Sequence, residues 1–186
     1  MTLLVQVSAA AAADAGDPRC YSRLVNEWFC WDYVRDYRPE IVDATVQHLA
    51  LTVASVTFGL LLAFPLALLA RRLPRLEGTV LGVSTGLYTV PSIALFPLLV
   101  PFTGLSATTV VIGLGLYALT ILVRALLEGL RAVPEEAREA ALDLGASRWR
   151  VFRDIELPLA MPGIMIGGLL CFVLSLGAFS ESKFLG

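Results

Sequence analysis

Between Leu49 and Phe179 the chain holds four apolar stretches without a single Asp, Glu, Lys or Arg: Leu49–Ala70, Thr79–Pro101, Ala107–Val123 and Leu159–Phe179. A helix needs about 20 predominantly apolar residues to cross the hydrocarbon core of a bilayer. One such stretch could be the buried helix of a soluble protein, but four within 131 residues cannot all be. Pro91 and Pro97 interrupt the second stretch, and Arg124 bounds the shorter third. Inside a membrane such prolines and glycines are tolerated because neighbouring helices re-satisfy the freed backbone groups. The expected fold class is therefore all-α, a polytopic membrane helix bundle with spans at about 49–70, 79–101, 107–123 and 159–179.

Composition agrees. Of the 186 residues 57% are hydrophobic and 16% charged, mean hydropathy is +0.76, and net charge is −2. These values exclude disorder, a collagen-like repeat and an ordinary soluble enzyme, and leave no basic excess to attract nucleic acid. With one histidine, His48, and three cysteines in no C-x-x-C spacing, no metal site is expected. Cys171 lies in an apolar run and reads as a small buried hydrophobe. Cys20 and Cys30 flank a polar segment and either pair or remain free thiols. Leu3–Ala13 is apolar but too short to span, and no Lys or Arg precedes it as in a signal peptide.

Lys and Arg mark the cytoplasmic loops of membrane proteins. The link from Arg71 to Gly78 carries three arginines and the link from Arg124 to Pro158 carries six, together nine of the fourteen basic residues. Two spans separate these links, so both face one side. That side is the cytoplasm, and the tail before the first span lies outside. Residues 1–40 form this external tail, and residues 41–186 the transmembrane domain. Between Asp14 and His48 it holds seven acids and four arginines, with Trp28, Trp31, Tyr33 and Tyr37 as expected interfacial anchors. From Pro39 onward, Ile41, Val42, Thr45, Val46 and Leu49 fall at helical spacing and predict an amphipathic entry helix.

The 124–158 link is the most polar part of the chain. Pro134-Glu135-Glu136 is a good helix start, with proline in the first turn and acids at the positive end of the dipole. Ala137, Ala140, Ala141 and Leu144 form a small apolar face, and Gly145 is the expected C-cap. A second helix from about Ser147, its N-cap, to Glu156 presents Trp149, Phe152 and Ile155 at spacings of three, with Pro158 closing it. This is a helix–turn–helix lying against the membrane. It is either a plain linker or a docking element for a soluble partner.

Glu139-Ala140-Ala141, three residues, Gly145, nine residues and Ile155-Glu156-Leu157-Pro158 fit the pattern E-A-A-x3-G-x9-I-x-L-P without a gap. It resembles the cytoplasmic loop of permease subunits in binding-protein-dependent ABC importers. In that family the loop forms the coupling helix that sits in a cleft of the ATP-binding subunit. The resemblance implies that Glu139, Ala140, Ala141 and Gly145 form the docking surface, with Ile155, Leu157 and Pro158 setting the return to the membrane. It also implies three partners: an ATP-binding cassette ATPase subunit, an extracytoplasmic solute-binding protein and a second permease copy.

The likeness extends from Ile41 onward. Thr45–Thr52, Tyr88–Leu95, Leu122-Val123-Arg124 and Glu128-Gly129-Leu130-Arg131 resemble the osmoprotectant (glycine betaine/carnitine/choline) branch. After Pro158, the runs Pro162–Leu170 and Phe172–Phe179 look more like polyamine and iron permeases. The family core is a five-helix unit, which implies a missing last helix after Gly186.

No G-x-x-x-x-G-K-[ST], H-E-x-x-H or G-x-S-x-G sequence is present, and no charge lies inside a span. No catalytic residue or cofactor is therefore expected; the energy comes from a partner subunit. A channel subunit would not need the docking loop, and a membrane scaffold would not need Pro91, Pro97 and Pro101 in one span. Tyr88 and Tyr117, with Pro91 and Ser92, are candidates for the solute path. Simple packing, with each hydroxyl bonded to a neighbouring helix, is the alternative for the tyrosines. Aromatic faces would suit a small quaternary ammonium solute through cation–π attraction. If the topology is right, cysteines placed at positions 75 and 145 are labelled from the cytoplasmic side; labelling of both from outside would overturn it.

Overall fold

The computed structural model describes residue 20 and residues 29–177. The apolar segment 3–13, Trp28 and the end of the expected fourth span at Ala178-Phe179 lie outside the described residues. The chain divides into two compact units, 1–46 and 47–186. All regular structure among the described residues is helical.

In the first unit, α1 (Trp31–Asp36) is capped by Cys30, whose Sγ accepts the Tyr33 N–H at 3.4 Å. Cys30 is disulfide-bonded to Cys20, which resolves the choice left open by the sequence. Phe29, Trp31, Tyr33 and Tyr37 are all exposed, with the two tyrosine rings 4.8 Å apart. The amphipathic entry and the first span form one continuous helix, α2 (Arg38–Arg72).

The second unit continues with α3 (Pro74–Thr89), α4 (Ser92–Thr103), α5 (Ala107–Arg131), α6 (Glu135–Asp143) and α7 (Arg148–Val151). A π-helical turn at Phe152–Glu156 then leads into α8 (Leu157–Gly177). Arg38–Arg72, Ala107–Arg131 and the continuous run Arg148–Gly177 are each long and apolar enough to cross a membrane. The expected second span is two helices meeting at 98°, which make a fourth crossing only if the bent pair is one span. Pro91 is the reason: it has no N–H to donate, and it drives Val90 out of the helical region to φ −68°, ψ 124°.

Two further boundaries differ from expectation. The third span does not stop at Val123; α5 runs eight residues on, because Leu126, Leu127 and Leu130 keep the buried face going. Arg124 avoids the apolar interior by reaching out to Thr85 Oγ1 at 3.4 Å. Pro158 does not close a helix. The wide turn before it, in which the Leu157 N–H donates to the Phe152 carbonyl five residues back, lets the helix pass through the proline.

Helix α5 is the centre of the bundle. Helix α3 runs antiparallel to it, with Glu77 on Arg131, Thr120 Oγ1 donating to the Ser84 carbonyl, and Tyr88 beside Tyr117. Helix α4 covers the opening turns of α5 through Phe96, Val110 and Leu114. Helix α8 is also antiparallel: Gly163 lies on Gly129, Gly167 on Ala125, and Cys171 on the Ala118 carbonyl. Helix α2 brings a row of small residues at four-residue spacing, Ser55, Gly59, Ala63 and Ala67, all buried. A Cβ on Gly59 would lie 3.0 Å from the Gly115 carbonyl oxygen.

On α2 and α8 large side chains point the other way. Leu61, Met165, Ile166, Leu169 and Val173 are more than half exposed, whereas Ala63, Ala67 and Ala160 are completely or almost completely buried. Lipid is as apolar as leucine, so bulk gains little by turning inward; close backbone approach brings dispersion contacts instead. Leucine at Gly167 should therefore force α8 off α5 and cost about 1–3 kcal/mol, read as lost thermal stability of the detergent-solubilised protein. Leucine at Gly82, which has nothing within 4 Å, should be tolerated.

Candidate functional site

The loop between α5 and α8 is built around an elbow. Helix α6 ends at Leu144; the Gly145 N–H then donates to the Leu142 carbonyl at 2.9 Å, and the Ala146 N–H to the Ala141 carbonyl at 3.1 Å. This double bond pattern needs a left-handed residue at its corner. Gly145, at φ +82°, supplies it. Ser147 then caps α7, its Oγ accepting the Arg150 N–H at 3.3 Å.

The side chains are sorted across this elbow. Ala141 and Val151 are buried and Ala137 is half-buried, whereas Glu139, Ala140, Gly145 and Pro158 are exposed. Leu144 is 89% exposed, so the expected four-residue apolar face is only partly turned inward. Ile155 and Leu157 are half-buried where the chain re-enters the bundle. Trp149 stacks on Phe152 with ring centroids 5.7 Å apart, yet remains 65% exposed. It is not the buried anchor that its spacing predicts.

The anchor is ionic. Glu156 is buried in the π-turn and receives Arg71 Nη1 on Oε2 and Arg138 Nε on Oε1, both at 2.6 Å. Arg138 also holds Glu135 within its own helix at 2.6 Å. Three separate pieces of chain therefore meet on one carboxylate: the end of α2, the middle of α6 and the entry to α8. Burial opposes the charge on Arg138, but hydrogen bonds and attraction from Glu156 and Glu135 prevail and raise its pKa above the usual arginine value. Together with Arg131–Glu77 at 2.6 Å, these pairs gather both basic links at one end of the bundle.

Sequence reasoning passed over Glu156 as the variable position of I-x-L-P, and Arg71 as a topology marker. A signal was present: opposite charges stand at matching edges of two apolar runs.

All four path candidates, Tyr88, Pro91, Ser92 and Tyr117, line one cavity of about 380 Å³. Breaking the helix at Pro91 strands the Val90 carbonyl, and the Tyr117 hydroxyl donates to it. The Tyr88 ring meets Tyr117 edge-on at 5.9 Å and is half exposed. Leu174 and Ser175 of α8 complete the far wall. His48, a lone histidine in the sequence, lies 3.1 Å from the Leu176 carbonyl and ties α2 to the end of α8.

Residues 55–186 match the family described as binding-protein-dependent transport system inner membrane component. The carnitine transport permease protein OpuCD of Listeria monocytogenes is 30% identical over 155 residues, covering 83% of this chain and 70% of its own. The osmoprotectant import permease protein OsmW of Salmonella typhimurium is 32% identical, covering 83% and 74%. The glycine betaine/carnitine/choline transport system permease protein OpuCD of Bacillus subtilis is 31% identical, covering 75% and 61%. The MetNI methionine ABC transporter, solved in inward-facing conformations, shares the fold with a TM-score of 0.67 at 23% identity, over 78% of this chain and 74% of that one. The helical bundle, the span-length helices and the family match over 55–186 lead to one conclusion: the chain belongs to the inner-membrane components of binding-protein-dependent transport systems, and is the permease subunit of an ABC importer.

Proposed function

We propose that this permease carries a small osmoprotectant, such as glycine betaine or choline, across the plasma membrane, driven by a separate ATPase subunit seated on the α6–α7 elbow. The observation that carries the coupling role is the division of the elbow into two faces. Glu139, Ala140, Leu144 and Gly145 are left open to a partner, while Ala141 and the Glu156 pairs root the same helix in the bundle. Ile155, Leu157 and Pro158 carry the strain of that partner into α8. An extracytoplasmic binding protein delivers the solute, and a second permease copy, identical or related, completes the path.

The cavity between Tyr88 and Tyr117 is the solute's route. Among the described residues no Asp, Glu, Lys or Arg lines it, so a cation meets aromatic faces and hydroxyls there rather than fixed counter-ions. That chemistry fits a quaternary ammonium group, and the carnitine and glycine betaine/carnitine/choline permeases among the relatives point the same way. Uptake of labelled glycine betaine, choline and spermidine by the complete transporter tests the cargo. Transport of spermidine alone would show that the fourth span was the better guide.

Two substitutions test coupling. Gly145→Val has open space around it but forces a β-branched residue to positive φ, costing about 1–3 kcal/mol at the elbow. ATPase-driven uptake should fall with membrane insertion retained, and Gly145→Asn should keep most activity because asparagine tolerates that conformation. Glu156→Gln leaves Arg71 and Arg138 facing a neutral amide. A loss of about 1–3 kcal/mol is expected, less than for a fully buried pair because both arginines are about a quarter exposed. Normal uptake in both Gly145→Val and Glu156→Gln would remove the elbow from the coupling machinery.

A further inference from the structure

A second cavity, of about 480 Å³, opens at the basic end of the bundle between the last turn of α2 and the start of α7. Its floor is the side of Leu68 and the stacked pair Trp149–Phe152. Its rim carries Arg71, Arg72 and Arg148. Arg71 is already committed to Glu156, the one acid among the described lining residues. Arg72 and Arg148 have no ion pair or side-chain hydrogen bond among the described residues. The cavity therefore holds two uncompensated guanidiniums above an apolar and aromatic floor.

We propose that this cavity binds the headgroup of an anionic phospholipid, with Arg72 and Arg148 on the phosphodiester and the upper acyl chain along Leu68, Phe152 and Trp149. Guanidinium forks match phosphate oxygens in pairs. Position selects lipid over a soluble anion. Arg72 ends one apolar run, Arg148 starts the helix that carries another, and the floor between them is the apolar and aromatic set Leu68, Trp149 and Phe152. Basic clefts at the cytoplasmic ends of membrane helices have this chemistry, and tryptophan is a residue of the headgroup level. The site adjoins the Arg71–Glu156 pair, so an occupied cavity would bear on the elbow. It rests on the proposed orientation only for which leaflet supplies the lipid.

The test uses the assembled transporter in nanodiscs containing photoactivatable phosphatidylglycerol or its phosphatidylcholine counterpart, with cross-links mapped by peptide. Adducts on the segment 148–153 should favour phosphatidylglycerol roughly thirtyfold, as two arginines at about 1 kcal/mol each at the membrane surface would give. Arg72→Gln with Arg148→Gln should bring that preference down to the phosphatidylcholine level, and Arg75→Gln, outside the cavity, should leave it intact. Equal labelling by the two lipids, or an unchanged preference in the double variant, would overturn the assignment. So would relief by inorganic phosphate beyond that of chloride at equal ionic strength, which would give the site to a free anion. Adducts seen only when the ATPase subunit is omitted would give the cavity to that subunit and overturn it equally. The readout is independent of uptake, so it stands or falls separately from the cargo and coupling readings.

Discussion

Backbone-to-backbone approach at α5 is the constraint on which the remaining packing rests. Two helices, α2 and α8, reach this one core helix closely only because their facing positions are almost without side chains: Gly59 against Gly115, Gly163 against Gly129, and Gly167 against Ala125. A soluble bundle would fill the same interfaces with leucine and be driven together by water. Here α2 and α8 turn leucine outward to lipid and meet α5 through glycine, alanine and serine, while α5 itself buries Leu119, Leu122, Leu126 and Leu127. Three of the buried hydroxyls need no partner across the interface. Thr52, Ser55 and Ser84 each return to a carbonyl four residues earlier in their own helix, at 2.7–2.9 Å.

Polar groups are satisfied across elements at several places, among them Thr120 on the Ser84 carbonyl and His48 on that of Leu176, and two more are central. One is the Pro91 break, where a stranded carbonyl is met by the Tyr117 hydroxyl and a cavity remains beside it. The other is the Glu156 carboxylate, buried yet shared by two arginines. Removing one partner from a buried ion pair costs more than the pair itself contributes. These two polar sites therefore behave as fixed points.

Much of this was readable beforehand, because the membrane restricts the options. Uninterrupted apolar length identifies Leu49–Ala70, and glycine followed by serine identifies the elbow at Gly145–Ser147. What escaped reading has physical reasons. Helix ends such as Arg131 depend on whether a flanking arginine can extend away from the interior, which Arg124 does through Thr85. The passage through Pro158 depends on a wide turn that local propensity does not encode. The Trp149 spacing is that of a buried face, but the loop is held by charges distant in sequence, 71 with 156 and 138 with 156. The bend at Pro91 was signalled by the proline, and its 98° magnitude was not.

Because the helix does not end at Pro158, the loop and the last span share a single shaft. From Arg148 to Gly177 it comprises 30 residues, about 45 Å of helix. Trp149 sits near one end; Cys171, Leu174 and Ser175, which wall the tyrosine cavity, sit near the other. A tilt of about 5° about its contacts at Gly163 and Gly167 displaces the Gly177 end by about 1.6 Å and the Trp149 end by about 2 Å in the opposite sense. A movement at the elbow therefore needs no chain of side-chain rearrangements to reach the cavity, because both are parts of one lever, with Gly129 and Ala125 as its bearing.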